Sequence, residues 1–141
     1  MNDAMLKCQL AEQVLRSFGK VRVKVLGSSM LPSVWPGDIV TICSQEASAV
    51  RPLDIVAFMR DGRIYVHRAI GKTGQVLVTR GDALAHNDAP VCAGEILGRV
   101  VSIQRGWSRL IPLRLHRLRQ RLSALKRFAK GTHGCNETRG V

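Results

Sequence analysis

Hydrophobic residues recur every three or four positions near the start of the chain, which predicts an amphipathic helix over residues 4–18. The apolar stripe consists of Met5, Cys8, Ala11, Val14, Leu15 and Phe18, and Gly19 follows it as a stop signal. From residue 21 the period changes, since residues 21–26 alternate apolar and basic side chains as a half-buried strand does. Further short, β-branched runs at 38–43, 54–59, 63–70, 75–79 and 95–103 are separated by Gly, Pro, Asp or Asn. The pattern predicts a mainly β fold, compact and mostly antiparallel, that follows one helix.

A second helical pattern begins at Pro112, after the last predicted strand. Its apolar stripe consists of Leu115, Leu118, Leu122, Leu125 and Ala129. Arginine and lysine surround the stripe, and residues 105–141 contain 10 Lys/Arg against one acidic residue, whereas residues 1–104 contain 12 against 9. We therefore predict an N-terminal helix in 1–20, a β domain in 21–104, and a basic amphipathic C-terminal helix with a tail in 105–141.

The basic helix at 112–130 leaves three interpretations open. It packs on the β domain with its arginines solvated, it lies in an anionic membrane surface, or it binds nucleic acid or an acidic partner. Nucleic-acid binding is the least favoured, because no motif supports it. No run approaches the roughly 20 apolar residues needed to span a bilayer, and no signal peptide is recognised. We expect a cytoplasmic protein, with a peripheral position at the inner face of the membrane left open by the helix.

Residues 27–37 form the segment richest in turn formers. Pro32 and Pro36 would break a helix there, which predicts a structured loop or a single turn directly after a strand. Ser29 lies in this loop, where a rigid backbone would present its hydroxyl outward. Such a hydroxyl is a weak nucleophile unless a base lies within hydrogen-bonding reach. On the local residues alone, Ser28 and Ser29 are more readily interpreted as turn formers.

The order of several short motifs favours a catalytic interpretation instead. Ser29-Met30-Leu31-Pro32 followed by Gly37-Asp38 resembles the S-M-x-P…G-D box of type I signal peptidases and their LexA-like relatives. Three further segments resemble later boxes of that family, in the same order: Asp54-Ile55-Val56, Tyr65-Val66-His67-Arg68-Ala69-Ile70, and Thr79-Arg80-Gly81-Asp82 with Asn87-Asp88. Together the boxes cover about residues 21–104. Histidine at position 67 is similar to the archaeal and endoplasmic-reticulum types, whereas common bacterial signal peptidases have lysine there.

The resemblance implies a serine endopeptidase of the signal-peptidase type, with Ser29 as nucleophile and His67 as general base. A histidine base needs a carboxylate to orient its ring and to stabilise its imidazolium form, and Asp82 and Asp88 are both candidates. By the resemblance Asp88 matches the essential aspartate, and Asp82 matches the aspartate of the Gly-Asp turn. We predict a catalytic set of Ser29, His67 and Asp88, with Asp82 in a supporting role.

The chain departs from the family pattern next to the nucleophile. Many signal peptidases have a serine two positions earlier that donates to the oxyanion, and here Gly27 occupies that position, with Ser28 adjacent to the nucleophile. We therefore expect the Ser29 backbone N–H to be the main oxyanion donor, with Gly27 and Ser28 supporting it. Met30 and Pro32, from the same box, are expected to contact the substrate.

These expectations describe hydrolysis of a peptide bond through an acyl-enzyme. No metal or cofactor is implied, because no Cys/His cluster has the spacing of a zinc site. The substrate is expected to be a protein or peptide that adds as an extended strand at the edge of the core. Two alternatives remain: a LexA-like module that processes its own chain, and a binding module that keeps the fold without activity.

Overall fold

A computed structural model describes residues 3–106 of the chain. One helix, α1 (Asp3–Phe18), precedes seven strands. The strands are β1 (Lys20–Lys24), β2 (Ile39–Ser44), β3 (Ile55–Arg60), β4 (Arg63–Thr73), β5 (Val76–Arg80), β6 (Val91–Cys92) and β7 (Ile96–Gln104). Short 3-10 helices at Ala47–Ala49 and Ala93–Glu95 interrupt two of the connections. The prediction of a mainly β fold with an N-terminal helix is confirmed, and β6 is the one strand among these that the sequence pattern did not indicate, because two residues are too few to show a period.

The seven strands form a single antiparallel sheet in the order β1-β2-β7-β3-β4-β5-β6. The last strand, β7, lies between β2 and β3, and it thereby joins the β1-β2 pair to the other four strands in one sheet. Register shifts at Thr41/Ile42, Ala57/Phe58 and Ala69/Gly71 mark bulges, which bend a strand and increase its twist. These bulges therefore bend the sheet locally at β2, β3 and β4.

Both faces of the central strands bury hydrophobic side chains. On β3, Ala57 belongs to one cluster of core residues, whereas Val56 and Phe58 belong to a second. β4 alternates in the same way, since Val66 packs against the first cluster and Ala69 lies in the second. By this alternation His67 shares a face of β4 with Tyr65 and Ala69, on the side of the second cluster.

The apolar stripe of α1 is only partly buried. Leu15 is the one buried residue of the helix, whereas Phe18 is 80% exposed and Met5 41% exposed. The helix lies against β1, β2 and β4. The predicted helix is confirmed, but the sheet covers its stripe mainly around Leu15.

The described chain ends just beyond β7. Arg105 and Gly106, which the sequence assigned to the tail, both hydrogen-bond to the buried carboxylate of Asp38 and so contact the β domain. The predicted helix at 112–130 lies outside the described residues. Within residues 3–106, no helix is long and apolar enough to cross a membrane.

Candidate active site

The loop that contains Ser29 is anchored to the β domain at both of its ends. Val25 and the Gly37-Asp38 pair exchange backbone hydrogen bonds of 2.8 and 2.7 Å at its base. Inside the loop, Met30 and Val34 bury their side chains in the first core cluster, and the Val34 N–H donates to the Met30 carbonyl at 2.9 Å, which closes a single helical turn. Because these anchors fix the turn from below, the position of Ser29 between them is restricted.

Asp38 holds the end of this loop through a buried carboxylate. Its side chain is fully buried and accepts hydrogen bonds from the backbone N–H groups of Trp35 and Gly106 and from the guanidinium of Arg105. Burial opposes ionisation, but these three donors outweigh it and hold the pKa of Asp38 below its usual range. The Gly37-Asp38 pair of the sequence motif therefore stabilises the conformation of the loop.

The Ser29 hydroxyl lies next to the imidazole of His67. The distance between Ser29 Oγ and His67 Nε2 is 3.0 Å, within the range of a hydrogen bond. His67 is 5% exposed and meets the rings of Phe58 and Tyr65 edge-on, at centroid distances of 6.0 and 6.1 Å. The ring therefore has little freedom to turn away from the serine.

The other ring nitrogen of His67 contacts Asp88. His67 Nδ1 lies 2.6 Å from Asp88 Oδ2, and the Asp88 side chain is 18% exposed. The structure thus joins Ser29, His67 and Asp88 into one chain of hydrogen bonds. Since a carboxylate only accepts, Nδ1 carries the proton in this contact and Nε2 is left free to accept from the serine.

Asp82 lies close by but has different partners. The guanidinium of Arg68 binds its carboxylate in a bidentate pair, with both N–O distances at 2.7 Å, and the Ser33 hydroxyl donates to the same group. The Arg68 hydrogen bonds, more than any other contact, hold the pKa of Asp82 below its usual range. Through Ser33, which contacts both Arg68 and Asp82, the network ties the serine loop to β4 and to the segment after β5. Arg68 also donates to the Leu53 carbonyl, in the segment before β3. Of the two candidate acids, Asp88 is therefore the one that hydrogen-bonds to His67.

The segment after β5 also contacts Ser29 directly. The Ala83 N–H donates to the Ser29 carbonyl at 2.8 Å. A Cβ placed on Gly81 would lie 2.6 Å from that same carbonyl oxygen, closer than real side chains approach. Glycine is required at position 81 because two backbone segments meet there, one bearing Ser29 and the other leading to Asp88.

The remaining residues that the sequence singled out lie at or beneath the surface around Ser29. Gly27 and Pro32 are exposed and Ser28 is half-buried. Met30, which was expected to contact the substrate, is only 2% exposed and packs in the core. Its apolar side chain anchors the turn in the core, so Met30 is not accessible for contact with a substrate.

Several residues of this site were not predicted as site residues. Thr79 is completely buried and donates from its hydroxyl to Asp88 Oδ2 at 2.6 Å. Alternation along β5 carried a usable signal, because Thr79 falls two residues after the buried Leu77 and a buried hydroxyl needs a partner.

Arg60 binds Glu95 in a bidentate pair and also donates to the carbonyls of Ala89 and Pro90, which fixes the far side of the loop bearing Asp88. No sequence pattern pointed to Arg60, because its partners are backbone carbonyls 29 and 30 residues away.

Comparison with known proteins bears on the identity of the chain. No curated protein matches this sequence. The family model described as "Signal peptidase, peptidase S26" matches residues 4–110, which cover the helix, the whole sheet and the cluster around Ser29. This protein therefore belongs to the signal peptidase family, peptidase S26.

Proposed function

We propose that the protein is a serine endopeptidase in which Ser29, His67 and Asp88 form the catalytic set. The observation that carries the proposal is the continuous hydrogen-bonded chain from Ser29 Oγ through the His67 ring to Asp88 Oδ2, with distances of 3.0 and 2.6 Å. Nucleophile, base and orienting carboxylate stand in the relation that acyl transfer requires. Membership of the peptidase S26 family supports the same reaction class.

The reaction follows from these contacts. His67 Nε2 accepts the hydroxyl proton as Ser29 Oγ attacks the carbonyl carbon of the scissile peptide bond, and Asp88 stabilises the imidazolium that results. Collapse of the tetrahedral intermediate breaks the C–N bond, and His67 returns the proton to the leaving amine. Water, deprotonated by His67 in its turn, hydrolyses the acyl ester and regenerates Ser29. A positioned base of this kind contributes about 10²–10⁴-fold to the rate.

The oxyanion of the tetrahedral intermediate needs hydrogen-bond donors beside Ser29. Within residues 3–106, no group accepts a hydrogen bond from the Ser29 backbone N–H, so this donor is available to a substrate. Gly27 contributes no hydroxyl. We infer that the backbone N–H is the main donor at this site, with the half-buried Ser28 beside it.

The free edge of β1 is the proposed place for an extended substrate. Among the described residues β1 pairs only with β2, and it runs directly into the loop that carries Ser29. Gly19 and Val25, on either side of β1, hydrogen-bond to Ser44 and Asp38 on the β2 side, and every second residue between them does the same. The backbone polar groups that point away from β2 are therefore those of Lys20, Arg22 and Lys24. A peptide paired along this edge would lead its scissile bond toward Ser29.

A serine-directed acylating probe tests the proposal. We expect covalent labelling of Ser29 in the wild-type protein, no labelling of Ser29→Ala, and strongly slowed labelling of His67→Ala and Asp88→Ala. Intact mass analysis of the same samples reports self-cleavage, which would assign the activity to a self-processing module of the LexA-like kind. A folded wild-type protein that is not labelled between pH 6 and 9 would instead be a member of the family without activity, retained for binding.

The edge-strand part of the proposal has its own test. Peptides that the enzyme cleaves are compared with versions in which alternate backbone nitrogens are methylated, which removes ladder donors without changing side chains. We expect a raised KM when the methylated positions face β1, and no effect when they face away.

A further inference from the structure

The carboxylate of Asp88 has a second partner besides His67. Thr79 Oγ1 donates to Asp88 Oδ2 at 2.6 Å, the same oxygen that accepts from His67 Nδ1. The two residues are also joined through their backbones, because the Asp88 N–H donates to the Thr79 carbonyl at 2.8 Å. Thr79 therefore holds Asp88 at two points, one on the main chain and one on the reacting side of the carboxylate.

The environment of Thr79 gives its hydroxyl little choice of partner. Thr79 is completely buried on β5, and the carboxylate has no proton to donate, so the hydroxyl proton must point at Asp88. Hydrogen bonds to charged groups are stronger than those between neutral groups. The contact fixes the rotation of the Asp88 carboxylate, and with it the direction from which Oδ2 meets the His67 ring.

We propose that Thr79 is a positioning residue of the reaction, which acts through Asp88 on the orientation and proton affinity of His67. The inference rests on the proposed function of Ser29, His67 and Asp88. Two donors that share one oxygen compete for its charge. The Thr79 hydroxyl therefore keeps Asp88 oriented while it limits how strongly the carboxylate favours the imidazolium form of His67.

This balance predicts a specific signature for Thr79→Val, which replaces the hydroxyl with a methyl group of similar size. Oδ2 then concentrates its charge on His67 alone, so the ring is protonated at higher pH. We expect the acidic limb of the kcat/KM profile, and the titration midpoint of the His67 ring, to lie at higher pH in Thr79→Val than in the wild type. Loss of the fixed carboxylate rotation should also lower kcat by roughly tenfold or more at the pH optimum, with KM little changed.

Two further variants separate this role from a merely structural one. Thr79→Ser keeps the hydroxyl and should stay within a few-fold of the wild type in rate, with the wild-type pH profile. Thr41→Val is the matched control, because Thr41 is also a buried strand threonine, and its hydroxyl pairs with Ser102 on β7 rather than with the catalytic set. It should change stability without moving the pH profile.

The experiment combines ring NMR of ¹⁵N-histidine-labelled protein with rates of labelling by the acylating probe. The chain has 4 histidines, and the His67 signals are assigned by their loss in His67→Gln. An upward shift in Thr79→Val that Thr79→Ser does not show supports the proposal. An unchanged or lowered midpoint in Thr79→Val, or equal defects in the valine and serine variants, overturns it.

The NMR arm needs no turnover, so the two hypotheses fail separately. A wild-type protein that is not labelled contradicts the proposed function, while the His67 midpoint still reports whether Thr79 acts on the ring. A labelled wild type with an unaltered Thr79→Val profile contradicts only the role of Thr79.

Discussion

Replacement of Asp88 by asparagine removes one charge from the candidate site and almost nothing else. The asparagine side chain has the same shape, and its oxygen can still accept from His67 Nδ1 and from the Thr79 hydroxyl. What it cannot supply is the negative charge that, in the proposed reaction, faces the imidazolium once His67 has taken the serine proton. Because that charge pair exists only after proton transfer has begun, its loss should lower kcat rather than raise KM.

The expected magnitude follows from the geometry of the pair. An Nδ1–Oδ2 distance of 2.6 Å sets the centres of the two delocalised charges about 4 Å apart. At that separation a unit pair is worth about 4 kcal/mol with an effective dielectric constant of about 20, which suits a group that is largely but not fully buried. Each 1.36 kcal/mol corresponds to about tenfold in rate, so Asp88→Asn should be slower by roughly a thousandfold.

The assay measures the rate of Ser29 acylation together with the free energy of unfolding in urea, and Asp82→Asn is the matched control. Asp82 hydrogen-bonds to Arg68 and Ser33, so its asparagine variant should lose about 2–3 kcal/mol of stability with a much smaller loss in the acylation rate of the folded protein. The reverse outcome would refute the reasoning: Asp88→Asn within tenfold of the wild type, and a thousandfold loss in Asp82→Asn that remains folded.

Three further predictions concern Gly27 in the serine loop and the two carboxylates, Asp38 and Asp82, that hold this loop in place. Gly27→Ser should raise the acylation rate by tenfold or more, because a Cβ at Gly27 meets nothing within 4 Å and the new hydroxyl would supply the oxyanion donor that many signal peptidases have at this position. Gly27→Ala, which adds no donor, should leave the rate unchanged. Asp38→Asn should lower the free energy of unfolding in urea by about 2–3 kcal/mol, because an amide cannot accept from all three donors, whereas Asn at the exposed Asp61 should have little effect. The lowered pKa of Asp82 means that its stabilisation is complete only above about pH 5 and is lost progressively as the pH falls through the unfolded value near 3.9 toward the lower folded value. Thermal unfolding between pH 2 and 5 should therefore depend less on pH in Asp82→Asn, and an equally steep profile would contradict this.

Local sequence was sufficient for most of the secondary structure. The helix was predicted at 4–18 and lies at Asp3–Phe18, and each strand longer than two residues overlaps a predicted run. These elements can be predicted because hydrophobic period and turn residues are local properties of the sequence. Gly19, which ends the helix, adopts a φ of 68°, and the prolines at 32 and 36 exclude a regular helix through the serine loop. The motifs likewise indicated which residues to compare with the peptidase family.

Which side chains meet was decided only by the tertiary structure. Ser29, His67 and Asp88 come from a loop, a central strand and a second loop. They meet because the His67 ring on β4 hydrogen-bonds to both loops and Gly81 lets the two loops touch. The sequence left Asp82 and Asp88 as competing candidates, since both follow β5 within eight residues. The pairing of Asp82 with the guanidinium of Arg68, a residue whose side chain leaves β4 on the face opposite to His67, directs one carboxylate away from the imidazole and leaves the other to it. Sequence fixes the period with which side chains alternate along a strand, but contacts between segments separated by 21 or 38 residues depend on the register and curvature of the folded sheet.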